Sequence, residues 1–167
     1  MPDQRLIIYQ VFPRILTNTN TACIPWGTLG QNGSGKFADF TPEVIWYTGV
    51  LEMATMSDFS VFGIEPDNQH VVKGQAGSPY AIKDYYDVDP ALAVDVARRL
   101  EEFDALVERT HKAGMKVLID FVPNHTARQY RSDNTPAGVE PFGSSDDTTV
   151  RFSPANDYYY VTNQQFA

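Results

Sequence analysis

Residues 115–126, MKVLIDFVPNHT, constrain the fold more than any other dozen in this chain. An apolar run, Val117, Leu118 and Ile119, leads straight into a carboxylate, Asp120, and an amide and an imidazole follow side by side as Asn124 and His125. A strand that is apolar along its whole length needs cover on both faces, as in a parallel sheet. Polar groups at the C-terminal end of such a strand are where open α/β sheets and (β/α)8 barrels place their chemistry. The segment therefore reads as a buried parallel strand with a functional rim.

What precedes it fits that design. Leu100, Phe103, Leu106, Val107 and Thr110 recur at helical spacing and form one apolar stripe. Glu101, Glu102 and Asp104 crowd the first turns, and Arg109, His111 and Lys112 the last, an order that matches the helix dipole. Gly114 supplies the stop. Upstream, residues 5–11 (RLIIYQV) and 45–50 (IWYTGV) read as two further strands, the second β-branched and aromatic. Residues 17–36 and 51–90 are turn-rich and lack periodicity, so both read as loops, the second an elaborated βα loop over one face of a sheet. One junction is irregular. A parallel crossover needs a dozen or more residues, usually helical, yet between the first two strands only FTPEV (residues 40–44) resembles a helix start, with Thr41 as N-cap and Pro42 after it.

Charge and cysteine content exclude several classes. The formal net charge is −8, and the densest basic pair, Arg98-Arg99, is followed at once by Glu101 and Glu102. A nucleic-acid partner wants clustered Lys and Arg. No apolar run approaches the ~20 residues a membrane span requires. The single cysteine, Cys23, rules out an internal disulfide and a Cys-rich zinc site. The first residues, MPDQRLIIYQVFP, read as a strand rather than a signal peptide, which makes a cytoplasmic location the default expectation. Asn32-Gly33-Ser34 matches a glycosylation acceptor, a weak match without a secretory signal.

Three groups of residues can carry chemistry. Asp120, Asn124 and His125 lie at a strand end, where Pro123 favours extended backbone before it. The imidazole can donate to a substrate hydroxyl, the amide oxygen suits a hard cation such as calcium, and Asp120 is either an acid or base or a brace for the strand end. Gly77-Ser78-Pro79-Tyr80 is a constrained loop that can hold Tyr80 as a stacking platform, or is an ordinary turn with a surface tyrosine. The tyrosine clusters at 85–86 and 158–160 can stack on sugar faces, or pack their bodies while their hydroxyls stay wet. His70 and Cys23 have no partner at metal-ligand spacing and read as structural.

Together, the blocks IIYQVFP, IWYTGV, GSPYAIKDYYDVDP and AGMKVLIDFVPNHT resemble the first three strands of the catalytic barrel in the α-amylase family, glycoside hydrolase family 13. DFVPNH (residues 120–125) resembles that family's signature at the end of the third strand, and FSPANDYYY (residues 152–160) is similar to the start of its inserted domain. The resemblance implies an α/β fold, an incomplete (β/α)8 TIM barrel of about three strands in residues 1–125, with the beginning of a loop-rich inserted domain in residues 126–167. It implies retaining hydrolysis, or transfer, of the α-glucosidic bonds of an α-glucan or maltooligosaccharide, the work of a glycosidase or transglycosylase. By the same resemblance His125 contacts the sugar where cleavage occurs, Tyr80 stacks on the same ring, Asn124 is a calcium ligand in members that hold the metal, and Asp120 supports the strand end. Many members have Asp after the stacking Tyr; here the residue is Ala81.

Retaining hydrolysis needs two carboxylates about 5–5.5 Å apart. In the family these lie on later barrel strands, and the family's first helix has little counterpart here. The expectation is therefore an N-terminal fragment with no catalytic carboxylate of its own, inactive alone. The rival expectation is a non-catalytic product that binds sugar or pairs with a complementary fragment. Unpaired strand edges and an uncovered apolar face also predict self-association.

Overall fold

The computed structural model of the chain describes residues 8, 10–15, 35–39 and 46–163. Cys23, the possible glycosylation acceptor at 32–34, the FTPEV segment and most of the first strand lie outside the described residues.

Three short strands form a parallel sheet in the order β1-β2-β5: β1 (Gln10–Val11), β2 (Trp46–Tyr47) and β5 (Leu118–Ile119). Gln10 and Val11 lie opposite Trp46 and Tyr47, which in turn lie opposite Leu118 and Ile119. Parallel neighbours were expected here, but β2 is shorter than the six residues of IWYTGV. Gly49 takes φ +72° and turns the chain after Thr48. A Cβ at Gly49 would meet the Phe12 ring at 2.8 Å and Pro79 at 2.9 Å, so both conformation and space demand glycine.

Residues 51–90 are not one loop. They hold an antiparallel hairpin of β3 (Leu51–Met53) and β4 (Ile82–Val88), with register shifts on either side of Glu52. The strand signal in β4 is obscured because its sequence, IKDYYDV, carries charges on both faces. Tertiary pairing of those charges overrides the polar pattern.

Helix α1 (Arg99–Lys112) matches the expected stripe with one exception. Leu106 and Thr110 are buried, Phe103 and Val107 half-buried, and Leu100 is exposed because it lies at the first turn beyond the sheet's reach. The helix ends in a Schellman arrangement: the Gly114 amide donates to His111 O at 2.9 Å and the Met115 amide to Thr110 O at 3.2 Å, with Gly114 at φ +80°. The core joins this helix to the sheet through Phe37, Tyr47, Val50, Val88, Leu92 and Leu106. Inside it Thr110 Oγ1 donates to Leu106 O at 3.0 Å and so accepts from the Tyr47 hydroxyl at 2.8 Å. β5 departs from expectation. Leu118 and Ile119 are 42% and 43% exposed, since β5 is an edge strand of the described sheet and β2 covers only one of its sides. Among the described residues no helix is long and apolar enough to cross a membrane.

Beneath β4 lies a buried ionic web. Lys83 Nζ pairs with Glu52 at 3.3 Å and Asp67 at 3.8 Å, and Arg99 grips Asp87 through Nε at 2.8 and 3.0 Å and through a terminal nitrogen. Asp84 accepts from Ser132 Oγ at 2.7 Å and from the backbone amides of Tyr86, Asp133 and Asn134. Four carboxylates thus meet two cations. Burial pushes the Glu52 carboxyl up to about 8, Asp87 and Asp84 add to the shift, and Lys83 only partly opposes it. Folding therefore takes up a proton on Glu52, and the folded state loses stability as pH rises from the ordinary value of 4.5 through about 8. Glu52→Gln keeps the neutral form. Thermal midpoints followed across that window are expected to fall less steeply for the variant than for the parent chain.

Candidate functional site

Tyr80 and His125, far apart in sequence, line one cleft. The chain presents Tyr80 from a tightly built loop. Arg14, 3% exposed, donates to Ala76 O at 2.7 Å and pairs with buried Asp89 at 3.3 Å, anchoring the loop to the turn after β4. Gly77 follows at φ +70°, and a Cβ there would sit 1.9 Å from the Ala54 carbonyl oxygen. The Ala81 amide then donates to Ser78 O at 3.0 Å, closing a turn that leaves the Tyr80 side chain 52% exposed. A ring held on such a turn loses little freedom when it stacks on a ligand.

His125 comes to the same place by a different route. Two residues beyond it the Ala127 amide donates to Ile82 O at 2.7 Å, so the segment after β5 lies alongside the start of β4, next to Ala81. The resulting cleft, about 240 Å³, is lined by Tyr80, Ala81, His125, Thr126, Lys73 and Asp67 among others. Asn124 Nδ2 contacts His125 Nδ1 at 2.7 Å. An amide nitrogen only donates, so Nδ1 accepts and the ring proton sits on Nε2, which makes Nε2 a donor.

Asp120 does not line this cleft. It accepts from the Trp46 indole at 2.6 Å, tying the end of β5 to β2. Calcium takes six to eight oxygens. At Asn124 the amide nitrogen is held by His125, which leaves its side-chain oxygen, the atom a hard cation takes, for other partners. His70 is exposed, and its amide donates to Asn68 Oδ1.

Two further cavities adjoin. One of about 370 Å³ opens on Tyr80 between Gln10, Phe12, Thr48 and Pro79. The other, about 450 Å³, shares His125 and Thr126 with the Tyr80 cleft and is walled by Tyr85, Phe121, Phe142 and Tyr159. Of the three, the Tyr80–His125 cleft carries one carboxylate, Asp67, and the largest cavity carries one, Asp157. Asp67 Oδ2 accepts from the Thr55 amide at 2.9 Å, and Asp157 Oδ2 from the Gly143 amide at 2.8 Å. None of these three cavities has two carboxylates among its lining residues.

Sequence reading missed the residues that support this geometry: Glu52, Lys83, Asp84, Asp87 and Arg99 under β4, and the Arg14–Asp89 pair. The dense acid spacing in KDYYDVDP was the available signal.

The family model for the α-amylase catalytic domain matches residues 44–166. The chain belongs to the α-amylase family. Maltase 1 of Drosophila virilis is 39% identical over 137 residues, 81% of this chain and 17% of that protein. An α-glucosidase of Culex pipiens is 27% identical over 127 residues, covering 76% and 18%. The human amino acid transporter heavy chain SLC3A1 is 37% identical over 124 residues, covering 74% and 14%. The chain thus spans less than a fifth of the length of these curated relatives. The parallel order β1-β2-β5, with α1 between β2 and β5 along the chain, suits a part of that family's barrel.

The Gly77 contact makes a direct test of how the α-amylase-family cleft is assembled. Gly77→Ala drives a Cβ into the Ala54 carbonyl and forces the loop outward. The variant is expected to melt several degrees below the parent in a calorimetric scan, while Gly74→Ala, whose Cβ would meet nothing within 4 Å, shifts the midpoint much less.

Proposed function

We propose that this chain is the sugar-holding, N-terminal part of an α-amylase-family glycosidase acting with retention on α-glucosidic bonds. Residues 1–125 supply the first three barrel strands, and residues 126–167 begin the inserted domain. The observation that carries the reading is the cleft shared by Tyr80 and His125. An exposed ring on a rigid turn offers a stacking face, and an imidazole with its proton on Nε2 offers a donor to a hydroxyl. That combination suits a pyranose, which has an apolar face and a polar rim. Maltase and α-glucosidase relatives support an α-glucoside as the ligand.

In this mechanism Tyr80 orients the sugar ring and His125 fixes it through a hydroxyl. Asp120 keeps β5 aligned on β2, and the two reacting carboxylates come from outside this chain. Asn124 supports His125 directly. Calcium enters the reading only through family resemblance, and no step is derived through it. Ala81 leaves that edge of the cleft without a carboxylate, which relaxes the grip on the bound ring.

A second reading has its own support. The Tyr80–His125 cleft has one carboxylate among its lining residues, and two relatives, human and rat, bear the name of a transporter heavy chain rather than of a hydrolase. On that reading the chain binds sugar without turnover, or pairs with a complementary fragment or a second copy along the exposed edge of β5.

Calorimetric titration of the 167-residue chain with maltose tests the shared part of both readings. Binding is expected at millimolar ligand, and Tyr80→Ala is expected to weaken it about tenfold, or ~1.4 kcal/mol. Absence of binding rejects the cleft. Maltooligosaccharide turnover abolished by changing one of the chain's own carboxylates would reject the absence of catalytic groups.

A further inference from the structure

The chain carries a formal net charge of −8, and among the described residues most cations are engaged. Arg14, Lys83, Arg98, Arg99, Lys112 and Arg131 pair with carboxylates. Lys36 and Arg109 donate to the carbonyls of Ala91 and Phe37. Lys73 and Arg128 do neither among the described residues, and both line the Tyr80–His125 cleft. The other two cavities have no Lys or Arg among their lining residues. We propose that this cleft selects a phosphorylated α-glucoside, with Lys73 and Arg128 holding a phosphate on the sugar that Tyr80 and His125 hold. The proposal rests on the function proposed above and names a substrate class for it.

Two separate segments bring the cations to one cleft, and hydrogen bonds hold the backbone of each. Lys73 lies just before Gly74 and Gln75, and the Gln75 carbonyl accepts from the Met56 amide at 3.1 Å and from Thr55 Oγ1 at 2.8 Å. Arg128 lies between two anchors on β4. The Ala127 amide donates to Ile82 O at 2.7 Å, and the Arg131 amide to Lys83 O at 3.0 Å. Gln129 Oε1 accepts from the Asn68 amide at 3.1 Å and joins the two segments. The roots of both side chains are thus fixed, while both residues stay exposed.

The one carboxylate of the cleft does not cancel them. Asp67 Oδ2 accepts from the Thr55 amide at 2.9 Å and faces Lys83 Nζ at 3.8 Å, so its charge is shared with the ionic web under β4. Burial also pushes the Asp67 carboxyl up from its ordinary range. Ala81 adds to the balance, because an acid at that edge of the cleft would place a like charge beside an anion. A phosphate monoester carries a charge of about −1.5 to −2 near pH 7 and three acceptor oxygens. That suits a guanidinium fork beside an ammonium point charge. A neutral glucoside leaves both cations without an anion, and a carboxylate with its single charge satisfies one. The exocyclic 6-position projects furthest from a ring stacked on Tyr80, so a phosphate there reaches out to the two side chains.

The test is calorimetric titration of the full chain with maltose, maltose 6′-phosphate and inorganic phosphate. The parent is compared with Lys73→Gln, Arg128→Gln and the double variant. Both residues are exposed, so neutralising them leaves the fold intact. The parent is expected to bind maltose 6′-phosphate about tenfold more tightly than maltose at low salt, an advantage that shrinks as salt is added. Each single variant should lose part of that advantage and the double variant all of it. An advantage that survives in the double variant, or equal affinity of the parent for the two sugars, overturns the phosphate site and leaves the Tyr80–His125 cleft standing. Inorganic phosphate bound as tightly as maltose 6′-phosphate overturns the glucoside as the ligand of these cations. Absence of binding by both sugars rejects the cleft itself.

Discussion

The buried charge web around β4 is the interaction on which the rest of the structure depends. Lys83 joins β4 to β3 through Glu52 and to the intervening segment through Asp67, while Arg99 clamps Asp87 to the start of α1. Asp84 gathers the hydroxyl and amides of residues 132–134. One strand thus holds the hairpin, the helix and the segment that follows His125. A buried ion pair such as Arg99–Asp87 is a weak source of net stability, but breaking it costs about 3–5 kcal/mol, because the remaining charge is stranded in a low dielectric. The web therefore acts as a positional constraint more than as a source of cohesion. The excess carboxylate tolerates burial by holding a proton on Glu52.

That constraint reaches the site by short steps. β4 begins at Ile82, and the carbonyl of Ile82 accepts from Ala127, so the position of β4 sets where His125 stands. The other end of the hairpin sets Tyr80, because Gly77 packs on the Ala54 carbonyl just beyond β3. Tyr80 and His125 therefore line one cleft as a consequence of hairpin pairing, although neither lies in a regular element. Between them stands Ala81, where many family members carry Asp. The same β4 supplies Tyr85, whose hydroxyl bonds carry the constraint into the neighbouring aromatic cavity.

Much of this was legible along the chain, and the failures have a common cause. Helix α1 could be read from its apolar stripe, its graded charges and Gly114, all local signals. The parallel character of β5 followed from its apolar run, but its cover did not, since the described sheet leaves it at an edge with Leu118 and Ile119 exposed. The hairpin was invisible for the opposite reason. IKDYYDV is polar at positions that the fold buries, and only its partners Glu52, Arg99 and Ser132 make that burial tolerable. Likewise Tyr80 and His125 were recognisable as candidates from motif and resemblance, whereas their shared cleft was not.

By itself, then, the sequence determined the family, through the spacing of DFVPNH after an apolar strand and of GSPY before KDYYDVDP. It also determined the residue types on which the proposed sugar site draws: Tyr80 after Gly-Ser-Pro, the imidazole of His125 and clustered tyrosines. Tertiary structure alone decided which of these meet. Neighbours across a hairpin and across parallel strands are set by hydrogen-bond register and by the pairing of buried charge, and neither is written in local periodicity. The same physics tied Asp120 to Trp46 and away from the cleft, and brought tyrosines from 85 and 158–159 to one cavity.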